Sequence, residues 1–192
     1  MAQPSRREEL VEAALLLFMQ DGFHATGIAA VLAKAGLSKM TLYHHFPSKD
    51  ELILAALELR DVRFRDWLFG RMQALGGTPR AQVLALFDAL GEWFRGEAAI
   101  MGAVPEKFVG CTFVKAAAEY SDLADPIHHL AAEHKKRIAE TLAELCRRAN
   151  LPEPERLARR FCLLKEGATA DAHMGGDSAA AAEAKQMAVT LL

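Results

Sequence analysis

Apolar residues recur every three or four positions along almost the whole chain, and this spacing constrains the fold more than any other feature. No stretch of strand length alternates cleanly between polar and apolar side chains, and β-branched residues are sparse beside the many alanines and leucines. The pattern predicts an all-α protein of about nine or ten helices without a β-strand. With 192 residues, of which 52% are hydrophobic and 25% charged, the chain is long enough for a substantial core.

The cysteines and the first ten residues indicate in which cellular compartment the protein is located. Cys111, Cys146 and Cys162 lie far apart and are odd in number, which argues against a disulfide framework and fits a reducing compartment. They form no CxxC pair or Cys/His cluster that would bind structural zinc, so we expect no metal and no cofactor. Residues 1–10 lack the apolar stretch of a signal peptide, and the longer apolar segments are interrupted by charges. We therefore expect a cytoplasmic protein that contacts no membrane.

Capping signals mark the limits of the first helices. Ser5 and Glu8 have the spacing of a capping box, which predicts the start of a first helix, and Gly22 is a candidate for its end. Thr26 is the expected N-cap of a second, short helix. Further helices are expected over about residues 48–74, 78–96, 125–150, 154–174 and 178–192, with several short helices between 97 and 124.

Residues 27–46 have the pattern of a helix-turn-helix, in which two short helices are joined by a glycine-containing turn. Gly36 can adopt the positive φ that the turn requires, and Ser38 is the expected N-cap of the second helix. Small residues occupy the positions where the two helices would touch, namely Ala29, Ala30, Ala33 and Ala35. The second helix offers donors and flat rings that could enter the major groove of DNA: Ser38, Lys39, Thr41, Tyr43 and His44.

A resemblance to a known family covers roughly residues 6–57, about a quarter of the chain. It rests on GFxAT after the first helix, AGLS at the turn, and TLYHHFPSK through the second helix of the motif. This segment resembles the DNA-binding domain of the tetracycline-repressor (TetR) family of transcriptional regulators. The resemblance implies a three-helix DNA-binding domain over residues 1–47, followed by an all-helical domain for ligand binding and dimerisation over residues 48–192.

The resemblance also implies which residues contact DNA. In the family, the threonine at the start of helix 2 and the lysine after Pro-Ser meet phosphates, while residues after the turn face base edges or nearby phosphates. Carried over position by position, the implied contacts are Thr26, Ser38, Lys39, Met40, Thr41, Tyr43, His44 and Lys49. From the residues themselves, Lys39 is the best candidate for a guanine edge and Tyr43 for a phosphate.

The region that resembles a DNA-binding domain is only weakly basic. Residues 1–49 carry five lysines and arginines against four carboxylates, which gives this region a net charge of +1. The whole chain has a formal net charge of −2, so its overall charge does not indicate a nucleic-acid-binding protein. Few phosphates can be neutralised by each protomer, and we expect a modest salt dependence of DNA binding.

The middle helices are rich in aromatic and soft side chains that could line an effector pocket. As a group they favour a small, largely apolar effector, although an ordinary core position explains any single one of them better. The candidates are Trp67, Phe87, Trp93, Phe94, Phe108, Cys111 and Phe113.

The last two helices are the expected dimer interface. Leu157, Phe161, Leu164 and Ala168 lie on one helical stripe, and the final helix combines Met187 with a broad alanine face. Paired with their copies, these helices would form a four-helix bundle around a twofold axis. The alternative is that they close the core of the monomer.

Three further features have competing interpretations. The cluster of His128, His129 and His134 could bind a metal, but a solvated helix face explains it better. Glu166 interrupts an apolar helix, where it could orient a ligand amine or form an interface pair. Cys111 could be sensitive to oxidation, but with no basic residue expected nearby, a core thiol is the better interpretation.

These observations favour a dimeric, ligand-responsive, DNA-binding transcriptional regulator, most simply a repressor that its effector releases from a near-palindromic operator. One alternative is a ligand- or protein-binding helical module that keeps the helix-turn-helix as a scaffold. The other is a helical enzyme. The sequence contains no nucleophile elbow, phosphate loop, HExxH motif or paired catalytic carboxylates, so we expect no enzymatic activity.

Overall fold

The computed structural model describes residues 5–102, 104 and 106–192, and these residues form nine α-helices and no β-strand. The all-α prediction is therefore confirmed. Residues 1–4, part of the segment inspected for a signal peptide, lie outside the described range. The helices are α1 (Arg6–Asp21), α2 (Ile28–Ala35), α3 (Lys39–His45), α4 (Lys49–Leu75), α5 (Pro79–Phe94), α6 (Thr112–Glu119), α7 (Pro126–Arg148), α8 (Pro154–Gly175) and α9 (Ala180–Val189). Across the described ranges, no helix is long and apolar enough to cross a membrane.

Most helices begin and end where local signals predict. The Ser5 hydroxyl accepts a hydrogen bond from the Glu8 amide at 3.3 Å, and the Glu8 carboxylate accepts one from the Ser5 amide at 2.7 Å. This completes the predicted capping box. Gly22 ends α1 with a φ of 90°, as expected for glycine after a helix. Helices α7 and α8 match the helices predicted over 125–150 and 154–174 to within about two residues.

Two helix predictions are wrong. The N-cap of α2 is Gly27 rather than Thr26, whose hydroxyl instead donates to the carbonyl oxygen of Gly22 at 2.6 Å. Between 97 and 124, where several short helices are expected, the described residues form only α6. Glycines with positive φ interrupt this segment at Gly102 and Gly110, and a right-handed helix cannot continue through such a backbone.

The chain divides into two compact units. The first comprises the described residues up to Val62 together with Thr112–His134, and the second comprises Arg63–Cys111 and Lys135–Leu192. Helices α4 and α7 therefore contribute residues to both units. The division into domains of residues 1–47 and 48–192 stays a prediction.

The first unit is built around the apolar face of α1. Leu10, Leu15 and Phe18 on that face are completely buried. Val31 of α2 and Leu42 of α3 are buried as well, and both short helices pack against α1. This packing fixes which sides of α2 and α3 remain exposed.

The second unit has its core among α5, α8 and α9, which pack against one another. Leu157, Phe161 and Ala168 of α8 are buried in this core, as are Ala181 and Ala188 of α9. The predicted dimer stripe and the alanine face are therefore used within the protomer. The reason is that α8 must bury one apolar face against α5 and α9, which leaves a different face for any partner.

Candidate nucleic-acid interface

A tight turn joins α2 to α3. Gly36 adopts the left-handed conformation, with φ 66° and ψ 32°, and its amide donates to the carbonyl of Leu32. Ser38 caps α3, since its hydroxyl accepts a hydrogen bond from the Thr41 amide at 3.1 Å. The backbone thus forms the helix-turn-helix that residues 27–46 predict.

One side of α3 is exposed and chemically varied. Met40 is 83% exposed and Tyr43 is 48% exposed, and Lys39 and His44 are exposed as well. Their spacing places these four side chains on one face of the helix. The Lys39 ammonium lies 5.8 Å from the centre of the Tyr43 ring. The face therefore combines a cation, a thioether, a phenol and an imidazole.

The other implied DNA contacts differ in accessibility: Ser38 is exposed, Thr41 and Lys49 are half-buried, and Thr26 is buried. The hydroxyls of Ser38 and Thr41 lie 2.9 Å apart and bind each other, so the helix cap already occupies them in part. Thr26 is 3% exposed, and its hydroxyl is engaged within the turn between α1 and α2. Lys49 begins α4 and donates from Nζ to the carbonyl of His24 at 3.4 Å. The structure brings Lys49 to this turn but does not expose the Thr26 side chain.

Sequence reasoning missed Glu119, the last residue of α6. Its carboxylate accepts hydrogen bonds from the backbone amides of Phe23 at 2.9 Å and His24 at 2.6 Å. Nδ1 of His24 also lies 2.9 Å from Oε2 of Glu119. Burial raises the pKa of Glu119, but the hydrogen bonds from His24 and Phe23 outweigh burial and hold the pKa below its ordinary value. No local signal could have found a contact between residues so distant in sequence.

The segment that carries the exposed face of α3 is similar in sequence to known DNA-binding regulators. The family model described as bacterial regulatory proteins, tetR family, matches residues 10–56. Two curated relatives come from Mycolicibacterium smegmatis: the HTH-type transcriptional repressor KstR2, 40% identical over 92 residues, and the HTH-type transcriptional activator FasR, 41% identical over 94 residues. Each match covers 46% of this chain, and 43% and 42% of the two relatives. The chain thus spans less than half the length of these curated relatives.

A solved structure extends the comparison over nearly the whole chain. A TetR-family transcriptional regulator from Streptomyces coelicolor matches with a TM-score of 0.84 and 26% identity, covering 97% of this chain and 93% of the other. The chain is thus similar to TetR-family regulators in sequence over residues 10–56 and in fold over nearly its whole length. The family model spans most of α1, all of α2 and α3, and the start of α4.

The second unit contains an aromatic cluster centred on Trp93. Its ring lies 4.9 Å from that of Phe64 and 4.8 Å from that of Phe108, and the rings of Phe94 and Phe108 are 4.9 Å apart. The ring of Trp67 lies 5.7 Å from that of Phe64. The structure therefore brings four of the candidate effector residues together.

A groove of about 270 Å³ lies beside this cluster in the second unit. Phe94 and Phe108 give it an aromatic wall, while Lys107 and His173 contribute polar groups. Phe87 is a further effector candidate, but it is 1% exposed in the core and does not line this groove. The lining of the groove thus combines aromatic rings with basic side chains.

Cys111 belongs instead to a charged cluster in the second unit. Lys135 donates from Nζ to Sγ of Cys111 at 3.2 Å and to the Glu166 carboxylate at 2.7 Å. Glu166 also accepts a hydrogen bond from Lys165. The expectation that Cys111 has no basic neighbour is therefore wrong, because α7 places Lys135 beside it. Glu166 has its partners inside its own protomer.

The charges of this cluster perturb one another strongly. Burial would raise the pKa of Glu166, but Lys165 and Lys135 together lower it to about 2. Burial and repulsion from Lys135 lower the pKa of Lys165, whose side chain is 3% exposed. Glu166 therefore stays ionised as the shared counter-charge of two lysines.

Phe113 and His134 pack together in the first unit. Their rings are nearly parallel, at 11°, with centroids 3.6 Å apart, so Phe113 is not part of the aromatic cluster around Trp93. Nδ1 of His134 lies 2.8 Å from Oδ1 of Asp61, and His134 is 1% exposed. The interpretation of the histidines as a solvated face is therefore wrong for His134. No group of three His, Cys, Asp or Glu side chains within the described ranges could hold a metal ion.

Proposed function

We propose that this protein is a homodimeric, ligand-responsive, DNA-binding transcriptional regulator of the TetR family. The observation that carries the proposal is the exposed face of α3, which presents Lys39, Met40, Tyr43 and His44 on a helix held by a glycine turn and a serine cap. A helix of this kind fits the major groove, where base edges are distinguishable. The names of the curated relatives, which are HTH-type transcriptional regulators, support the same function.

The residues of the interface have different tasks in this proposal. Lys39 donates a hydrogen bond to a guanine edge. Tyr43 and His44 contact the phosphate backbone, and Lys49 meets a phosphate near the N-terminal amides of α4. Thr26 supports the turn between α1 and α2 rather than the DNA, since its buried hydroxyl already has a partner.

The dimer forms through the exposed side of α8 and α9. Leu163 is 65% exposed and Met174 is 80% exposed, and the small residues Gly167 and Ala170 are exposed between them on the same helical stripe. Met187 of α9 is also 56% exposed. Small residues let two copies approach closely and form a four-helix bundle around a twofold axis. A dimer with twofold symmetry then binds a near-palindromic operator.

A small, largely apolar effector binds in the second unit and releases the operator. The groove beside the aromatic cluster supports this assignment, because Phe94 and Phe108 suit an apolar body and Lys107 suits an acidic group. Helix α4 runs unbroken from the first unit into the second, so a shift of α4 reaches the DNA-binding part. Release requires that the effector bind the two states of the protein with different affinities.

Selection of bound sequences from a random duplex pool, at about physiological salt, tests the proposal. Enrichment of a near-palindrome supports a dimeric regulator and provides the operator. KstR2 is named a repressor and FasR an activator, so transcription from the selected operator, measured with and without the protein, decides between repression and activation. A folded protein that enriches no sequence, with or without cell extract added, contradicts the proposal.

Two variants separate the proposal from its alternatives. Lys39→Ala and Tyr43→Ala should each weaken operator binding about tenfold or more, because each removes a contact from every half-site. Lys136→Ala, an exposed cation of α7, is the control and should bind as the wild type does. A binding module or an enzyme that keeps the helix-turn-helix as a scaffold would show no loss.

A stable monomer near 21 kDa at micromolar concentration would contradict the dimer.

A further inference from the structure

Helix α6 forms hydrogen bonds with the end of α1 and with the turn that follows it. It does so through Lys115 and Glu119, whose side chains lie one helical turn apart. Lys115 donates from Nζ to the carbonyl of Met19 at 2.9 Å. Glu119, four residues later on the same face, accepts from the amides of Phe23 and His24. All these residues belong to the first unit.

The charges of the two side chains match the end of the helix that they touch. The last carbonyls of an α-helix lack intrahelical partners and carry the negative end of the helix dipole, so an ammonium such as that of Lys115 is favoured there. The amides just beyond the helix are donors and favour an anion such as the Glu119 carboxylate. Hydrogen bonds to a charged acceptor are about twice as strong as neutral ones. The two contacts together fix both the end of α1 and the turn.

The fit around the carboxylate is close. A Cβ atom at Gly22 would lie 2.9 Å from Oε1 of Glu119, closer than such contacts normally come, and Gly22 has a φ of 90°. The ring of Tyr120 stacks on the imidazole of His24 with centroids 4.8 Å apart, and it meets Phe23 edge-on at 6.4 Å. The turn is therefore held by its backbone and by its side chains.

The same turn leads directly to two parts of the DNA interface. The carbonyl of His24 accepts the hydrogen bond from Lys49, the proposed phosphate contact at the start of α4. Two residues after His24, the buried Thr26 hydroxyl closes the turn on Gly22, and α2 begins after Gly27. We propose that Glu119 is a positioning residue for DNA binding, whose carboxylate fixes this turn and thereby the placement of Lys49 and α2. The inference rests on the proposed DNA-binding function.

The substitution Glu119→Gln tests the carboxylate with little change in shape. Three donors converge on its two oxygens, from the Phe23 amide, the His24 amide and the His24 ring. A glutamine must turn its own NH₂ group towards at least one of them. We expect operator affinity to fall about tenfold, the equivalent of one charge-assisted hydrogen bond. Glu58→Gln is the matched control, because this exposed carboxylate of the first unit should leave affinity unchanged.

A double-mutant cycle distinguishes positioning from a loss of stability. If Glu119 acts through the turn that holds Lys49, then Glu119→Gln combined with Lys49→Ala should cost less affinity than the sum of the two single changes. Fully additive losses would contradict the proposed route. Glu119→Asp keeps the charge and should recover part of the affinity that Glu119→Gln loses. A folded Glu119→Gln variant that binds the operator within twofold of the wild type would overturn the inference.

Amide hydrogen exchange separates this inference from the proposed function. Phe23 and His24 should exchange slowly in the wild type and at least tenfold faster in Glu119→Gln, while amides of α3 keep their protection. A wild type that binds no selected duplex refutes the proposed function and, with it, the role of Glu119 in DNA binding. A wild type that binds, with unchanged exchange and affinity in the variant, refutes only the role of Glu119.

Discussion

At the scale of single residues, Glu166 shows how far a buried charge depends on its neighbours. Its carboxylate is shared by Lys135 and Lys165, and both amines lose their common partner if the charge is removed. Lys165 is 3% exposed, so water cannot replace the carboxylate there. Removing one partner of a buried ion pair is costly for this reason.

Glu166→Gln should therefore destabilise the protein by about 2 kcal/mol at neutral pH, less than for a fully buried pair because a third of the Glu166 side chain stays exposed. The folded-state pKa of about 2 lies below the ordinary value of 4.5, so the carboxylate stabilises the fold above about pH 4.5. This contribution is lost as the pH falls from about 4.5 towards 2. Urea unfolding across this pH range measures it, with Glu183→Gln, an exposed carboxylate, as the control. A constant difference between the Glu166 variant and the wild type down to pH 2 would contradict the assignment.

Cys111 should be the fastest of the three cysteines to react with iodoacetamide. The Lys135 ammonium donates a hydrogen bond to its sulfur at 3.2 Å and can stabilise the negative charge that the sulfur carries when it reacts. Cys146 is completely buried, and burial raises its pKa to about 11. We expect Cys111 to react at least tenfold faster than Cys146 in peptide mass spectra of the folded protein. Lys135→Met should slow Cys111, and an unchanged rate in that variant would show that the ammonium does not activate the thiol.

At the scale of elements, α3 depends on its cap more than a longer helix does. It has seven residues, which is too short for stability of its own, and the Ser38 hydroxyl satisfies one of its first amides. The Ser5 hydroxyl plays the same part in α1, which has 16 residues and a buried face. Comparing the two serines therefore separates helix stability from the shape of the DNA interface.

Ser38→Ala and Ser5→Ala should each cost about 1 kcal/mol of unfolding free energy, the usual value of an N-cap. Only Ser38→Ala should also weaken operator binding, because the start of α3 lies at the proposed interface. Thermal unfolding and operator titration of both variants measure the two effects. Equal losses of affinity in both variants would show that the cap acts only through overall stability.

Local signals predicted the helices well, since an N-cap, a glycine at a helix C-terminus and an apolar stripe each depend only on residues close together in the sequence. The α3 face was predictable for the same reason, because helical spacing alone aligns Lys39 with Tyr43. Contacts between distant segments were not predictable. Glu119 meets His24 and Lys135 meets Cys111 only after the chain folds. Thr26 shows a further limit of local signals. Threonine is a good N-cap residue, but here its hydroxyl donates to the carbonyl of Gly22, and the adjacent Gly27 is the N-cap of α2.

At the scale of the whole molecule, charge sets how DNA binding should respond to salt. The chain carries a net charge of −2, so long-range attraction to DNA is weak and binding depends on local contacts. The local region of residues 1–49 has a net charge of +1. Each neutralised phosphate contributes about −0.9 to the slope of log affinity against log salt.

About four phosphate contacts per protomer would give a dimer a slope near −7, and we expect the measured slope to be no steeper than about −8. Operator titrations between about 50 and 200 mM salt provide it. Lys49→Ala should make the slope shallower by about 2, since the dimer loses two phosphate contacts. Lys136→Ala should leave the slope unchanged. A slope steeper than −8 in the wild type would mean that cations outside residues 1–49 reach the DNA, and an unchanged slope in Lys49→Ala would exclude that lysine as a phosphate contact.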